Sequence, residues 1–289
     1  TLAWAILAAG FMVRCFIIMH DCGHGSFFEQ KRLRTLVGYL TGFVAFTPYW
    51  QWTKDHAIHH QTSGNLEKRG HGDVWTVTAK EYGEMTWLQR LGYKAYRFPL
   101  VTFFIGPIYI FIFRFRFCVS NDGPKERRSV YICNAVLAAI YGSLVYAIGW
   151  EAVLMVQVPI SVIAHFTGVY LFYVQHQYED TYWEHDKEWD YYNASIEGSS
   201  SFKMPKVFQW FSGNIGFHHI HHLSHLIPNY NLEKCYNENA MFRECTVLTL
   251  GSSVKSVFLH IYDQDKRQLI SFREYRRRFK KPSLVKQPA

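Results

Sequence analysis

Apolar residues in this chain are gathered into five blocks, which polar and basic stretches separate. Three blocks, residues 1–19, 130–149 and 152–174, are long enough to form helices that cross a lipid bilayer. Two others, 35–50 and 98–113, are also apolar but shorter, and glycine and proline interrupt both. The pattern predicts an all-α integral membrane protein, a helical bundle that carries a polar helical cap.

Basic residues give the predicted bundle an orientation. Arg114, Arg116 and the cluster 125–128 flank apolar blocks, whereas the turn 149–151 between the last two blocks has no Lys or Arg. Cytoplasmic loops of membrane proteins carry the excess of Lys and Arg. We therefore expect this turn on the far side of the membrane. Residues 175–289, a cap that ends in a basic tail, are then expected in the cytoplasm.

The two shorter blocks decide which polar segments can meet. Segments on one face of the membrane must be separated by an even number of crossings. Three histidine clusters, which are described below, can meet at one site only if they lie on the same face. In that case blocks 35–50 and 98–113 would be re-entrant or interfacial, a placement in which protein must cover the broken helix. The alternative, that both blocks cross, would put the histidine clusters of this chain on opposite faces.

Charge and cysteine content narrow the classes of function. The formal net charge is +8 at pH 7, yet no zinc-finger spacing and no RNA-binding motif accompanies it, which argues against nucleic acid as a partner. The six cysteines form no CxxC pair and indicate a reducing compartment. The chain begins inside an apolar run without a starting Met, so we expect residues 1–289 to be one membrane domain that is truncated at its N-terminus.

Eight of the 15 histidines fall into three short clusters. One cluster has the spacing HxxxH and follows the first apolar block, and the other two have the spacing HxxHH. Positions i, i+3 and i+4 share a helical face, so each cluster can present its imidazoles together. Eight nitrogen ligands are too many for one metal ion and suit two. The clustered residues are His20, His24, His56, His59, His60, His218, His221 and His222.

The donor type restricts the choice of metal. Zinc sites usually have four ligands and often include cysteine, and soluble di-iron bundles use Glu-x-x-His pairs that these clusters lack. An all-imidazole site for two metals at a membrane face favours iron and dioxygen chemistry. A histidine-based metal transporter is an alternative from another class. It would carry ionisable residues along its crossings, whereas here only Arg14 and His165 lie deep in an apolar block.

The clusters and their flanks resemble the membrane fatty acid desaturases. HDCGH, HAIHH and HHIHH occur in this order with apolar spacers. The segments HHQTSGNLEKRGHGDVWT, FYVQHQYEDTYWEHD and GNIGFHHIHHLSHLIPNYNLE are similar to bacterial acyl-lipid desaturases of the omega-6/omega-3 type. The resemblance implies a di-iron site on the cytoplasmic side of a bacterial inner membrane. It also implies insertion of a cis double bond into an acyl chain, with dioxygen as co-substrate and outside electrons.

The resemblance assigns metal ligands residue by residue. It makes the eight clustered histidines iron ligands, and a QH motif of the group matches Gln175 and His176, so His176 is expected to be a ninth ligand. Some relatives have an Asn one turn before that histidine, where this chain has Phe172, which puts an outer ligand there in doubt. Electrons would come from a separate ferredoxin or cytochrome, because no haem or flavin module is fused. A hydroxylase or ketolase of the same superfamily stays open as an alternative.

The residues around these clusters have weaker assignments. His165, in the middle of block 152–174, is interpreted either as part of an acyl tunnel or as one side of an interhelical hydrogen bond. No metal role is expected for His71, His185, His219, His225 or His260. Metal-bound imidazoles usually donate their second N–H to a carboxylate or a carbonyl, so nearby carboxylates are candidates for that position. They are Asp21, Asp55, Glu179 and Asp180.

Overall fold

The computed structural model describes residues 2–70 and 72–279. Predictions that fall on Thr1, on His71 or on the basic tail after residue 279 lie outside the described residues. The helices within the described ranges are α1 (Leu2–His24), α2 (Lys31–Val44), α3 (Tyr49–Thr62), α4 (Ala79–Glu84), α5 (Trp87–Tyr96), α6 (Gly106–Ile108), α7 (Pro124–Ile148), α8 (Trp150–His176), α9 (Tyr191–Ile196), α10 (Lys206–Phe211), α11 (His218–Leu223), α12 (Asn229–Glu238), α13 (Leu250–Ser256) and α14 (Phe272–Phe279). The strands there are β1 (Val77–Thr78), β2 (Ser201–Lys203), β3 (Val247–Thr249), β4 (Ile261–Asp263) and β5 (Gln268–Ile270).

Three helices contain the apolar blocks that were expected to cross the membrane. Within the described residues, α1, α7 and α8 are long and apolar enough to do so by length and composition. Only Gly149 separates α7 from α8, and its φ of 80° lies in the left-handed region that glycine tolerates. The expected turn 149–151 is thus a single residue, because Trp150 and Glu151 already belong to α8. The protein is a membrane protein, and the order and direction of its crossings stay a prediction.

The two shorter apolar blocks are broken in the structure. Block 35–50 contains the end of α2 and the start of α3, with a non-helical link between them. Block 98–113 lies in a bent pair, in which α5 and the segment Val101–Arg116 meet at 58°, as in a broken span or a re-entrant loop. Pro107 cannot donate a backbone hydrogen bond, and the helix widens into π-helical turns on either side of it. The re-entrant placement of both blocks stays a prediction.

A close approach between α2 and α3 positions the first two histidine clusters. A Cβ on Gly38 would come within 2.4 Å of the Tyr49 ring, so α2 can pack this closely only with glycine at that position. Tyr49 is buried, and its hydroxyl donates to the Cys22 carbonyl at 2.8 Å. This hydrogen bond ties the start of α3 to the end of α1. It thereby holds the cluster on α1 beside the cluster on α3.

The polar cap is built from two stretches of the chain and not from the C-terminal part alone. β1, from the polar segment that follows α3, pairs in parallel with β4, and β4 pairs antiparallel with β5. β2 and β3 form a separate parallel pair. The prediction of a helical protein is confirmed, but it missed these strands. Strands of two or three residues are too short to show an alternating pattern.

A buried arginine joins the two stretches of the cap to the end of α8. Arg97 donates to the Tyr173 hydroxyl at 2.9 Å, to the Gln177 side-chain carbonyl at 2.8 Å and to the Leu259 carbonyl at 2.7 Å. These bonds replace the water that the guanidinium loses on burial. Because Gln177 directly follows His176, the Arg97 network fixes the point where α8 reaches the histidine clusters.

Candidate metal centre

Five imidazoles meet where α1, α3 and α11 converge. His20 and His24 lie at the end of α1, His56 and His60 lie on α3, and His221 lies on α11. One ring nitrogen from each of the five lies within 4.8 Å of the others. The Nε2 atoms of His60 and His221 are 3.0 Å apart. We call these five residues the first histidine group.

A second histidine group lies beside the first. His59 of α3, His176 at the end of α8 and His222 of α11 have ring nitrogens within 4.8 Å of one another. His218 completes this group, because its Nε2 atom lies 2.9 Å from that of His176 and 3.2 Å from that of His222. The structure thus brings together all nine histidines that the sequence singled out. Their ligation of metal stays a prediction.

Each HxxHH cluster is divided between the two groups. On α3, His60 belongs to the first group and its neighbour His59 to the second. On α11, His221 belongs to the first group and its neighbour His222 to the second. The rings of His60 and His222 stack with their centroids 4.2 Å apart, so the groups are in contact. Two helices that each serve both groups make the pair of groups one site.

Carboxylates anchor one ring of each group from outside. Asp21 Oδ1 lies 2.9 Å from His20 Nδ1, and Asp21 Oδ2 accepts hydrogen bonds from the backbone and side-chain N–H groups of Asn229 at 2.7 and 2.8 Å. Asp73 Oδ1 lies 2.7 Å from His59 Nδ1. Such contacts fix the orientation of a ring and make its Nε2 atom the free nitrogen. Asp21 therefore contacts a site histidine, as the sequence indicated. Asp73 was not among the carboxylates that the sequence indicated.

Two other expected carboxylate anchors lie elsewhere. His176 Nδ1 has the Gly198 carbonyl at 3.1 Å as its partner, and neither Glu179 nor Asp180 takes that place. The Asp180 carboxylate instead accepts a hydrogen bond from Gln268. α8 ends at His176, so the next residues leave the helix and turn away from the ring. The role of Asp55 stays a prediction.

The remaining histidines of the described chain lie outside the two groups. His219 is buried on α11, and its Nε2 atom contacts the Phe242 carbonyl at 3.1 Å. The His225 ring lies 5.0 Å from that of His24, beside the first group but not within it. His185 pairs with Glu67 at the surface. His260 stacks on Phe272.

The donor set fits two divalent metal ions. Imidazole nitrogen is a ligand for zinc, copper, iron and nickel, and neither group contains a carboxylate among the described residues. Burial lowers the pKa of His56, His60, His218, His221 and His222. Low pKa values keep these rings in the neutral form, which is the form that binds metal.

Buried histidines outside the two groups should add to the acid sensitivity of the metal-free protein. Burial lowers the pKa of His219 to about 4, and burial together with the charge of Arg97 lowers the pKa of His260 to about 3. An unfolded histidine titrates near 6.5, so below that pH the unfolded chain binds protons that the folded chain does not. The free energy of unfolding should therefore fall as the pH is lowered from 7 to 5.

Thermal unfolding of chelator-treated protein in detergent, measured across this pH range, checks that expectation. The variant His260→Phe keeps an aromatic ring against Phe272 but cannot be protonated. Its melting temperature should depend less steeply on pH than that of the wild type. Equal slopes for the two proteins would contradict the expectation.

Comparison with known proteins agrees with the geometry. The sequence model of the fatty acid desaturase family matches residues 1–246. The chain is 45% identical over 273 residues to a fatty acid desaturase of Bacillus subtilis, an alignment that covers 94% of this chain and 78% of the relative. It is 29% identical over 250 residues to the sn-1 acyl-lipid omega-3 desaturase (ferredoxin) of a Nostoc species, and 30% identical over 248 residues to the chloroplastic omega-3 fatty acid desaturase of Glycine max.

The last two alignments cover 81% and 80% of this chain, but only 63% and 50% of those relatives. The family match, in contrast, extends over all three histidine clusters and over α1, α7 and α8. Proteins of this name are oxidoreductases, so the prediction of a desaturase-type enzyme is confirmed. This membrane protein, with its two adjoining histidine groups, belongs to the fatty acid desaturase family.

Proposed function

We propose that this protein is an oxygen-dependent desaturase that inserts a cis double bond into the acyl chain of a membrane lipid. The observation that carries the proposal is the meeting of nine imidazoles in two adjoining groups, at the point where the apolar helices α1 and α8 end. A site in that position can be reached by an acyl chain that lies within the membrane. It can also be reached from the polar cap by a soluble electron carrier.

Two iron ions suit the two groups. The first histidine group would hold one ion and the second histidine group the other. When bound, iron supplies the activation of dioxygen and the removal of hydrogen from an unactivated methylene. The net reaction takes two hydrogen atoms from the acyl chain and two electrons and two protons from outside. It converts one dioxygen into two waters and leaves an alkene.

The chain's own side chains keep the site rigid and apolar. Asp21 and Asp73 hold one ring of each group in a fixed orientation. Trp52 stacks on a ring of the first group at 4.4 Å between centroids, and Phe172 lies 5.0 Å from a ring of the second. These aromatic walls exclude water and offer a surface along which methylenes can lie. They would decide which methylenes come near the metals.

Acyl lipid and ferredoxin are the proposed substrate and electron donor. The Nostoc relative is named both as an acyl-lipid desaturase and as ferredoxin-dependent. The last turn of α14 exposes Arg276 and Arg277, and such cationic surfaces attract acidic carriers. The same basic residues fit the cytoplasmic face of a bacterial inner membrane, which is the proposed location of the site.

Analysis of host lipids tests the proposal. Expression in a bacterium together with a ferredoxin should produce new cis double bonds, and they should disappear when oxygen is withheld. The purified protein should contain about two iron ions per chain. Hydroxylated chains in place of unsaturated ones would identify a hydroxylase and contradict desaturation.

A further inference from the structure

A row of packed aromatic rings runs from the metal centre into the apolar bundle. Trp52 stacks on His56 of the first histidine group at 4.4 Å between centroids, and Phe16 packs edge-on against Trp52 at 5.2 Å. Phe111 lies 6.0 Å from Phe16 and stacks on His165 at 4.2 Å, with only 4° between the ring planes. The row thus connects the candidate metal centre with His165, in the middle of α8.

One side of α8 follows the same route. His165, Phe172 and His176 share a helical face and extend over about 16 Å of the helix axis. Gly168 lies on that side, three residues after His165 and four after Ala164, which packs on α1. A Cβ on Gly168 would meet no atom of the described residues within 4 Å. At Gly168, between the metal centre and His165, this side of α8 is therefore not covered by the described part of the protein.

His165 is buried at the far end of this route without a polar partner. The residue is 4% exposed, and neither of its ring nitrogens has a hydrogen-bond partner among the described residues. The interhelical hydrogen bond considered from the sequence is thus not formed there. Burying an imidazole unpaired costs free energy that an apolar side chain would not cost. Packing alone gives no reason for histidine at this position.

We propose that His165 limits the length of the acyl chain that the enzyme accepts, by closing the far end of a slot that begins at the metal centre. This inference rests on the proposed function. Methylenes can lie along the aromatic row and over Gly168 without contacting a polar atom. A chain that continues past His165 must press its methyl end against unpaired ring nitrogens and exclude water from them. His165 would therefore determine specificity, and the chemistry would take place elsewhere.

The variant His165→Leu tests this role directly, because it removes both nitrogens and keeps an apolar side chain of moderate size. We expect it to accept longer chains, with the ratio of longer to shorter products rising about tenfold for each added methylene. His165→Gln keeps a polar group and should keep the wild-type profile. The host is supplied with fatty acids of graded length, and product chain lengths are measured by mass spectrometry.

Matched controls separate this effect from a general disturbance of α8. Val156 lies nine residues before His165, on the opposite and exposed side of the helix, so Val156→Leu should leave the profile unchanged. Thermal unfolding in detergent gives a readout that does not depend on activity. His165→Leu should melt at the same temperature as the wild type or higher, because an unpaired buried group is gone. If leucine packs badly at this position, His165→Met provides a second test, because methionine is apolar and flexible. We expect the same shift to longer products and the same melting behaviour for this variant.

Identical chain-length profiles for the wild type, His165→Leu and His165→Met would overturn the inference while the proposed function stands. A wild-type protein that makes no double bonds at all would remove the proposed function, and the inference with it. A loss of iron in His165→Leu would also contradict the inference, because the proposed role concerns the acyl chain and leaves both histidine groups intact.

Discussion

His221→Ala should abolish the formation of double bonds and lower the iron content of the purified protein. His221 is the member of the first histidine group that α11 contributes, and its Nε2 atom lies 3.0 Å from that of His60. The loss should exceed the 10- to 100-fold decrease that is typical when only an outer partner of a metal ligand is removed. Product analysis by mass spectrometry and iron determination per chain measure the two effects.

His219→Ala is the matched control for this variant. His219 lies on the same helix and is also buried, but its ring contacts the Phe242 carbonyl and belongs to neither group. The substitution should lower the free energy of unfolding by about 1–3 kcal/mol, because it leaves the Phe242 carbonyl with only the weak S–H donor of Cys245. Products and iron content should persist. Equal loss of iron from both variants would show that α11 had been disrupted, and an active His221→Ala protein would contradict the proposed site.

The next largest effect is expected for Asp73→Asn. Asp73 Oδ1 lies 2.7 Å from His59 Nδ1, and both side chains are largely buried. The carboxylate fixes the His59 ring and makes it a more basic ligand, which a neutral amide of the same shape cannot do as well. We expect a decrease of about 10- to 100-fold in metal affinity or turnover. Competition with a chelator and measurement of turnover in the same preparation check this expectation.

Asp180→Asn provides the comparison for Asp73→Asn. Asp180 lies four residues after His176 in the sequence, yet its carboxylate accepts a hydrogen bond from Gln268 on the exposed side of the cap. Iron affinity and turnover should therefore stay at the wild-type level. If the two variants lost activity equally, the contact between Asp73 and His59 would not be the cause.

Asp21 and Asp73 show how far proximity in sequence predicts which carboxylate contacts the ring of a site histidine. Asp21 was correctly expected at His20, because neighbouring residues at the end of α1 stay in contact whatever the rest of the chain does. Asp73 lies fourteen residues after His59 in an irregular segment, so no periodicity marks it. Only the return of that segment across α3 places its carboxylate beside the ring.

The helices that hold the site were predictable, and the small sheets of the cap were not. Long apolar runs mark α1, α7 and α8, because a helix that can cross a bilayer needs a continuous apolar stretch. The pairing of β1 with β4 joins segments that lie far apart in the chain. Two- and three-residue strands carry too few side chains to show a pattern, so such pairing depends on how the cap closes around Arg97.

The spacing of residues that are close together in the chain was sufficient to predict the family of this protein and the histidines of its site. Apolar run length, HxxxH and HxxHH spacing and the resemblance that they carry depend only on near neighbours in the chain. They predicted a membrane desaturase and nine histidines at one site. Tertiary structure decided how those histidines are shared, since neighbours such as His59 and His60 face different groups according to what packs against α3. It also decided that His165 is buried without a hydrogen-bond partner among the described residues, because the faces of α8 acquire their surroundings only when the helices pack.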